Sequence, residues 1–222
     1  MSGVELVIFD NDGVVVDSEL LANRVLAELL TDAGHPTSVR DSIRDYMGGT
    51  VASVHTIIRE RTGRDLPEDF DAEYHERLFA AFDAELRPVP GVEAALRALT
   101  LPYCLASSGT HDRIRRSLTI TGLAGYFEGR VFSAEDVVHG KPAPDLFLHA
   151  ARSLGVEPIR CVVVEDSPNG VKAGVAAGMQ VLGYSALTPA RALAGATATF
   201  SSMDGLSAAL TGLGAPAPGS PG

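Results

Sequence analysis

The segment that most constrains the fold is VELVIFDNDGVVVDSE, residues 4–19. Its apolar run ends at Asp10 and Asp12, which are followed directly by Gly13. A short continuous apolar run that stops at a glycine is typical of a buried strand in a parallel sheet. Ligands bind at the carboxyl ends of such strands, and alternate residues of a strand point to the same side. The segment therefore predicts a first strand whose end brings two carboxylates to one pocket.

Two regions with different patterns follow this strand. Residues 17–87 show only helical spacing of apolar residues, and these stripes predict the core of a small all-helical domain. From residue 88 onward strand and helix patterns alternate, which is typical of a doubly wound parallel sheet. The first strand then belongs to this sheet, and the helical region is an insertion after it.

The domain boundaries follow from the same alternation. We expect an α/β domain formed by residues 1–16 and 88–213, a helical domain formed by residues 17–87, and a disordered tail at 214–222, where Gly and Pro dominate. Five strands are expected in the sheet. After the first, they lie at 103–107, 131–132, 161–164 and 181–184.

Composition narrows the classes of partner. A net charge of -10 and a pI near 5.0 argue against a nucleic-acid surface, which needs clustered Lys and Arg. No apolar run approaches the roughly 20 residues of a membrane span, so we expect a cytoplasmic protein without a membrane partner. The protein is further expected to be a monomer or a weak homo-oligomer.

Cys104 and Cys161 lie in apolar strand-like runs and are expected to be buried free thiols. The only lysines are Lys141 and Lys172, so a lysine beside a motif is informative.

Polar side chains follow three further strands. Ser107 and Ser108 come at the end of the second strand, Lys141 lies in the HGKPAPD loop after the third, and Glu165 and Asp166 follow the fourth. Each motif alone is common in turns, loops and helix caps. Together they occupy the carboxyl ends of strands in one sheet, so they are expected to converge on one crevice with the first two aspartates.

These side chains fit phosphoryl transfer. A carboxylate such as Asp10 can attack a phosphoryl group and hold it as an aspartyl phosphate, which divides one hard hydrolysis into two easier steps. Because anion approaches anion, a cation is needed. Hard oxygen ligands without His or Cys favour Mg²⁺, which Asp10 and Asp166, helped by Glu165, can bind.

The remaining polar groups have complementary roles. Ser107 can donate a hydrogen bond to a phosphoryl oxygen, and the Lys141 ammonium can balance charge on the transferred group. Asp12 is left as the acid that protonates the leaving alcohol and later takes a proton from the attacking water.

The order DNDG, SSG, GKPAPD and EDSPNG resembles the four motifs of the haloacid dehalogenase superfamily. The inserted helices resemble the cap domain of its phosphoglucomutase-like and sugar-phosphatase branch. The resemblance implies a Rossmann-like core, a cap that closes over the site, and a Mg²⁺-dependent hydrolase. Position by position it implies these roles: Asp10 as nucleophile and metal ligand, Asp12 as general acid/base and backbone-oxygen ligand, Ser107 and Lys141 as phosphoryl binders, and Glu165 and Asp166 as acids on the metal side.

The chain also separates the branches of that superfamily. Asp12 favours phosphoryl transfer over dehalogenation, and the absence of lysine from residues 17–87 argues against the phosphonate hydrolases. Sugar phosphomutases carry a His and an Arg where this chain has Ala22 and Val51. Hydrolysis of a small phosphorylated metabolite, a sugar or sugar-acid phosphate, is therefore preferred. A phosphomutase and a non-catalytic receiver-like module remain as alternatives, although Asp12 and the helical insertion argue against the receiver.

Four residues are candidates for contacts with the substrate or its phosphate: Ser108, Gly48, Gly49 and Asn169. The two glycines between helices can bring bare backbone amides to a ligand, although a turn explains them equally well. Asn169 and Ser167 are expected to shape the EDSPNG loop and cap its helix. Arg24, Tyr46 and His55 are further candidates in the helical domain, but each is better explained as an ordinary residue of its helix.

Overall fold

A computed structural model describes residues 3–47 and 49–216 of the chain. The chain divides into two compact units. One, here called the core unit, contains residues 3–16 and 88–216, and the other, the helical unit, contains residues 17–87. The role of the helical unit as a cap stays a prediction.

The core unit is built on one parallel sheet. Its strands are β1 (Leu6–Phe9), β2 (Tyr103–Ser107), β3 (Val131–Ser133), β4 (Cys161–Glu165), β5 (Gln180–Tyr184) and β6 (Ala198–Phe200). The order is β3-β2-β1-β4-β5-β6, and every neighbouring pair is parallel. The predicted α/β fold with a doubly wound parallel sheet is confirmed, and β1 lies inside the sheet between β2 and β4.

The described residues of the helical unit, 17–47 and 49–87, form helices and no strand, as the apolar spacing predicts. They are α1 (Glu19–Asp32), α2 (Val39–Tyr46), α3 (Val51–Thr62) and α4 (Phe70–Glu85). The buried face of α4 carries Phe70, Tyr74, Leu78 and Phe82, spaced four residues apart. Thr50 caps α3 by accepting a hydrogen bond from the Ser53 N–H, which is the standard use of a threonine at a helix start.

Five α-helices belong to the core unit among the described residues. They are α5 (Val92–Ala98), α6 (His111–Ile120), α7 (Asp145–Ser153), α8 (Pro168–Ala176) and α9 (Leu206–Gly212). Side-chain caps fix the two that start beside predicted motifs. Thr110 accepts from the Arg113 N–H at the start of α6, and Ser167 accepts from the Gly170 N–H at the start of α8.

The sheet is covered on both faces. Every residue of β1 is fully buried, and Leu6 and Ile8 join Cys104, Cys161 and residues of α7 and α8 in one apolar cluster. On the other side Phe9 packs edge-to-face against Tyr103 and Phe127, with ring centroids 6.1 and 6.4 Å away. A strand buried on both faces explains why the first segment reads as a continuous apolar run.

The expectation of five strands is wrong, because the core unit contains a sixth, β6. β6 is three residues long and partly exposed, so its sequence lacks the apolar run that marks the inner strands. Two other predictions concern residues outside the described part of the chain. They are the substrate contact of Gly48 and the disorder of positions 217–222 in the predicted tail. The described part extends to Pro216, and Ala215 is buried, with its N–H bonded to the Leu210 carbonyl. Of the described helices, none has the length and apolar character that crossing a membrane requires.

Candidate active site

The chain makes a tight turn where β1 ends. The Asp10 N–H continues the sheet by donating to the Val164 carbonyl at 3.0 Å. The Asn11 carbonyl then accepts from the Val15 and Val16 N–H groups at 2.9 and 3.0 Å, and Gly13 adopts a φ of 78°. A positive φ of this kind is accessible to glycine at little cost, so the glycine lets the backbone reverse directly after the two aspartates.

Lys141 links the ends of three strands. Its Nζ donates to Asp10 Oδ1 at 2.6 Å, to Glu165 Oε1 at 2.7 Å and to the Ala106 carbonyl at 3.0 Å. The ammonium also lies 4.7 Å from the ring centroid of Phe147, in cation–π range. The side chain is only 4% exposed, and its three donors are all used. The predicted convergence of Asp10, Lys141 and Glu165 is therefore what the structure contains.

Asp166 completes an acidic group with Asp10 and Glu165. One carboxylate oxygen of each lies within 4.8 Å of the others, and all three residues are buried. The donor set consists of oxygens alone, which is the set that Mg²⁺ prefers. The group therefore fits a divalent cation.

Glu165 is held in place by its surroundings. Its Oε2 accepts from the Ser167 N–H and from the Ser167 hydroxyl, at 3.0 and 2.9 Å, while Oε1 accepts from Lys141. The carboxylate lies against Gly170, where a Cβ would stand 1.7 Å from Oε1. Only glycine at this position leaves room for the observed carboxylate. Glu165 thus fixes Lys141 at the same time as it borders the acidic group.

Burial shifts the acid–base behaviour of this cluster. It raises the pKa of Asp10 from its usual 3.8 to about 8, with further upward contributions from Glu165 and Asp12, while Lys141 opposes the shift. Burial alone would lower the pKa of Lys141, but Asp10 and Glu165 more than offset this and hold it above its usual value. One ammonium does not balance this number of carboxylates, so a bound cation would relieve the cost of keeping Asp10 ionised.

Asp12 makes a contact that the sequence analysis missed. Its Oδ1 accepts a hydrogen bond from Arg113 Nη2 of α6 at 2.8 Å, and both side chains are mostly buried. One turn further along α6, the Ser117 hydroxyl accepts from Asn11 Nδ2 at 3.3 Å. The sequence contains a signal for the Asn11–Ser117 contact, because a polar Asn11 at the end of a buried strand needs a polar partner, but none that selects Arg113 as the partner of Asp12.

The phosphate-binding candidates of the second motif directly follow Ala106, whose carbonyl accepts from Lys141. Ser107 ends β2, is buried, and accepts from the Gly109 N–H at 3.0 Å through its hydroxyl oxygen. Ser133, at the end of β3, donates to the Gly109 carbonyl at 2.7 Å, so the loop that contains Gly109 is bonded to the ends of both β2 and β3. Ser108 is exposed, and Asn169 lies half-buried in the first turn of α8. The roles of these residues stay predictions.

The candidates of the helical unit have partners within that unit. Arg24 bonds both oxygens of Glu85, at 3.0 and 2.6 Å, and His55 Nε2 lies 2.6 Å from Asp71 Oδ1. Tyr46 is buried. At Gly49 a Cβ would stand 2.7 Å from the Ser53 hydroxyl oxygen, so close packing accounts for this glycine without a ligand.

Comparison with known proteins agrees with this geometry. The family model of haloacid dehalogenase-like hydrolases matches residues 4–178. The 6-phosphogluconate phosphatase of Escherichia coli K12 is 30% identical over 187 residues, which cover 84% of this chain and 85% of the relative.

Two solved structures are also similar over almost the whole chain. A conserved haloacid dehalogenase-like protein of unknown function from Agrobacterium tumefaciens is 36% identical, covers 95% of this chain and 99% of its own, and gives a TM-score of 0.88. A hydrolase of the same family from Deinococcus radiodurans, solved with bound phosphate and sodium, is 31% identical, covers 96% and 98%, and gives a TM-score of 0.80.

The chain therefore belongs to the haloacid dehalogenase-like hydrolase family. The resemblance of its four motifs to that superfamily is confirmed, and the protein is an enzyme of the hydrolase class.

Proposed function

We propose that this protein is a Mg²⁺-dependent phosphatase that hydrolyses a small phosphorylated metabolite through an aspartyl phosphate on Asp10. The observation that carries the proposal is the buried cluster in which Lys141 bonds Asp10 and Glu165, with Asp166 beside them. Such a cluster joins a carboxylate able to attack phosphorus with an ammonium that compensates the charge of a phosphoryl group and with further carboxylates able to hold a divalent cation. The similarity to a sugar-acid phosphatase supports the same assignment.

In the first half-reaction a carboxylate oxygen of Asp10 attacks phosphorus, and the bond from phosphorus to the substrate's ester oxygen breaks. Asp12 gives its proton to that ester oxygen, so the leaving group departs as an alcohol. Ser107 donates a hydrogen bond to an oxygen of the transferred group, and the Lys141 ammonium, held on Asp10, balances the charge that develops on that group. The product of this half-reaction is the acyl phosphate of Asp10.

In the second half-reaction a water oxygen attacks the same phosphorus, and Asp12 takes the proton that the water loses. The bond between phosphorus and the Asp10 oxygen breaks, which returns Asp10 as a carboxylate and releases inorganic phosphate. Mg²⁺, when bound by Asp10 and Asp166 with Glu165 alongside, supplies positive charge that lets two anions approach each other. Asp12 thus ends each turnover protonated, as it began.

The substrate class that we propose is a sugar or sugar-acid phosphate. The support is the relative named as a 6-phosphogluconate phosphatase, which matches 84% of this chain. A phosphomutase would use the same first step but return the phosphoryl group to its substrate instead of to water. A non-catalytic receiver-like module would have no use for a proton donor such as Asp12.

A screen of phosphorylated metabolites with Mg²⁺ tests this function directly. We expect free phosphate from one or more sugar or sugar-acid phosphates, at a rate that depends on Mg²⁺ and is lost in chelator. A hexose phosphate incubated with a catalytic amount of its bisphosphate should release phosphate faster than it forms an isomer. Isomer formation without phosphate release would replace the phosphatase with a mutase, and no turnover across the panel would favour the receiver-like module.

Mg²⁺ binding is expected to depend on pH in a defined direction. Because the pKa of Asp10 is raised to about 8 in the metal-free protein, a proton competes with the metal below that pH. We expect the apparent affinity for Mg²⁺ to rise about tenfold per pH unit between about pH 6 and about pH 8. Isothermal titration calorimetry in buffers of different ionisation enthalpy measures both the affinity and the proton released.

Stability should follow the same linkage. A raised pKa in the folded state contributes stability below the pKa of the unfolded chain, and that stability is lost as the pH rises towards 8. In chelator the Tm should therefore fall from about pH 5 to about pH 8, and Mg²⁺ should restore it most at the higher pH. The Asp10→Asn variant, which lacks this titration, is the control. An equal effect of Mg²⁺ at both pH values would contradict the prediction.

A further inference from the structure

Helix α6 contacts the turn after β1 through two side chains on one face. Arg113 Nη2 donates to Asp12 Oδ1, and Ser117, four residues later, accepts from Asn11 Nδ2. Residues four apart lie one above the other on a helix surface, so the two contacts form one line along the turn. The Ser117 hydroxyl in turn donates to the Ile114 carbonyl at 2.9 Å, which fixes the serine on its own helix.

The side chain of Arg113 is more buried than those of the other arginines of α6. The side chain of Arg113 is 22% exposed, whereas that of Arg115 is 74% exposed and pairs with the exposed Asp112. An exposed pair of the latter kind contributes little, because water and salt screen it. The Arg113–Asp12 pair lies where screening is weaker, so its geometry is better fixed.

The contacts reach both oxygens of the Asp12 carboxylate. Arg113 donates to Oδ1 at 2.8 Å, and Asn11 Nδ2 lies 3.5 Å from Oδ2, at the limit of a hydrogen bond. The terminal torsion of an aspartate is broad and has no sharp minimum of its own. A charge-assisted hydrogen bond on one oxygen therefore decides how the carboxylate plane is turned.

We propose that Arg113 is a positioning residue that orients the Asp12 carboxylate for proton transfer to the leaving group. The inference rests on the proposed function, since it assumes that Asp12 protonates the departing ester oxygen. Proton transfer needs donor and acceptor within hydrogen-bond reach and in line, and an error of about 1 Å can cost about 100-fold in rate. Arg113 acts through Asp12 and not on the substrate.

A different role for Arg113 gives a different kinetic pattern. If Arg113 bound a carboxylate or second anionic group of the substrate, replacing it would raise KM for substrates that carry that group, whatever their leaving group. An orienting arginine instead affects substrates whose leaving group needs a proton. Sugar phosphates need one, because an alkoxide is a poor leaving group, whereas p-nitrophenolate departs without being protonated.

The experiment compares kcat/KM for the best sugar phosphate and for p-nitrophenyl phosphate in three variants, Arg113→Met, Arg113→Lys and Arg115→Met. The ratio kcat/KM reports the steps up to departure of the leaving group, before the phosphoenzyme is hydrolysed. For Arg113→Met we expect a loss of about 10- to 100-fold on the sugar phosphate, carried mainly by kcat, and a loss at least about tenfold smaller on p-nitrophenyl phosphate. Arg113→Lys should recover part of the loss, and Arg115→Met should match the wild-type protein.

A double-mutant cycle shows whether Arg113 acts through Asp12. In the Asp12→Asn background, Arg113→Met should change the rate on the sugar phosphate by less than about twofold, because the group that it orients no longer transfers a proton. Circular dichroism and Tm confirm that each variant is folded. Equal losses on both esters, a loss confined to KM, or full additivity with Asp12→Asn would each overturn the inference alone. A wild-type protein that releases no phosphate from either ester would overturn the proposed function and the inference together.

Discussion

Replacing Asp10 with asparagine is expected to lower phosphate release by at least about 10³-fold, because the amide cannot form the acyl phosphate. Asparagine has nearly the same shape and can still accept a hydrogen bond from Lys141, so the side chain should stay where it is. Continuous assay of free phosphate with the best substrate at saturating Mg²⁺ measures the loss. Incubation with substrate, followed by acid quench and mass spectrometry, should show a phosphorylated peptide containing residue 10 in the wild-type protein and not in the variant.

Measurement of Tm shows whether the activity of Asp10→Asn is lost because the nucleophile is missing or because the protein unfolds. Burial raises the pKa of Asp10, which means that the folded protein without metal bears a cost for ionising this group. Asp10→Asn removes that cost, so its Tm in chelator at about pH 8 should equal or exceed that of the wild-type protein. Asp112→Asn, in which an exposed aspartate of α6 is changed, is the matched control and should keep full activity. An Asp10→Asn variant that keeps more than about a tenth of the activity would rule out Asp10 as the nucleophile.

The parts of the fold that the sequence predicts are those with a local cause. β1 is buried on both faces, so its residues must be apolar, and Asp10 ends the run because the strand there reaches the edge of the sheet. The same reasoning places Ser107 at the end of β2 and Glu165 directly after the predicted strand 161–164, which the structure extends by one residue to Glu165. Parallel strands end at one edge, so their polar terminal residues could be assigned to one crevice without any coordinates.

The parts that the sequence did not predict depend on contacts between distant positions. Arg113 and Asp12 are 101 residues apart, and the pattern of α6 shows a buried stripe at Ile114 and Leu118 without indicating which arginine turns inward. β6 is identified by its pairing with β5 in the structure. Its sequence does not predict it, because a partly exposed edge strand of three residues has no continuous apolar run. The sequence likewise does not show that one carboxylate oxygen of Glu165 accepts from Lys141 and the other from Ser167, because these bonds depend on the conformation of the loop after β4.

Replacing Lys141 with methionine is expected to lower both activity and stability strongly. The change leaves Asp10, Glu165 and Asp166 buried together without the ammonium that bonds the first two. Removing one partner of a buried ion pair typically costs about 3–5 kcal/mol of stability, because the remaining charge has no compensation. Chemical denaturation followed by circular dichroism, with chelator and with Mg²⁺, measures the change.

The loss of stability should depend on pH and on Mg²⁺. Without the ammonium the pKa of Asp10 should rise above the value of about 8 that it has beside Lys141, so the deficit should grow as the pH rises above about 8. Mg²⁺ supplies the missing positive charge and should recover part of the stability, but it should not recover turnover, because no cation then reaches the phosphoryl oxygens from the position of Lys141.

The second lysine of the chain provides the matched control. Lys172 lies exposed on α8, so Lys172→Met removes the same charge and introduces the same side chain at a solvated position. Its stability should stay within about 0.5 kcal/mol of the wild-type value, and its activity should be unchanged. Equal stabilities for the two variants in chelator would mean that Lys141 does not compensate the acidic group. Since both changes remove one positive charge from the protein, any difference between them comes from where the charge lies and not from how much charge the protein carries.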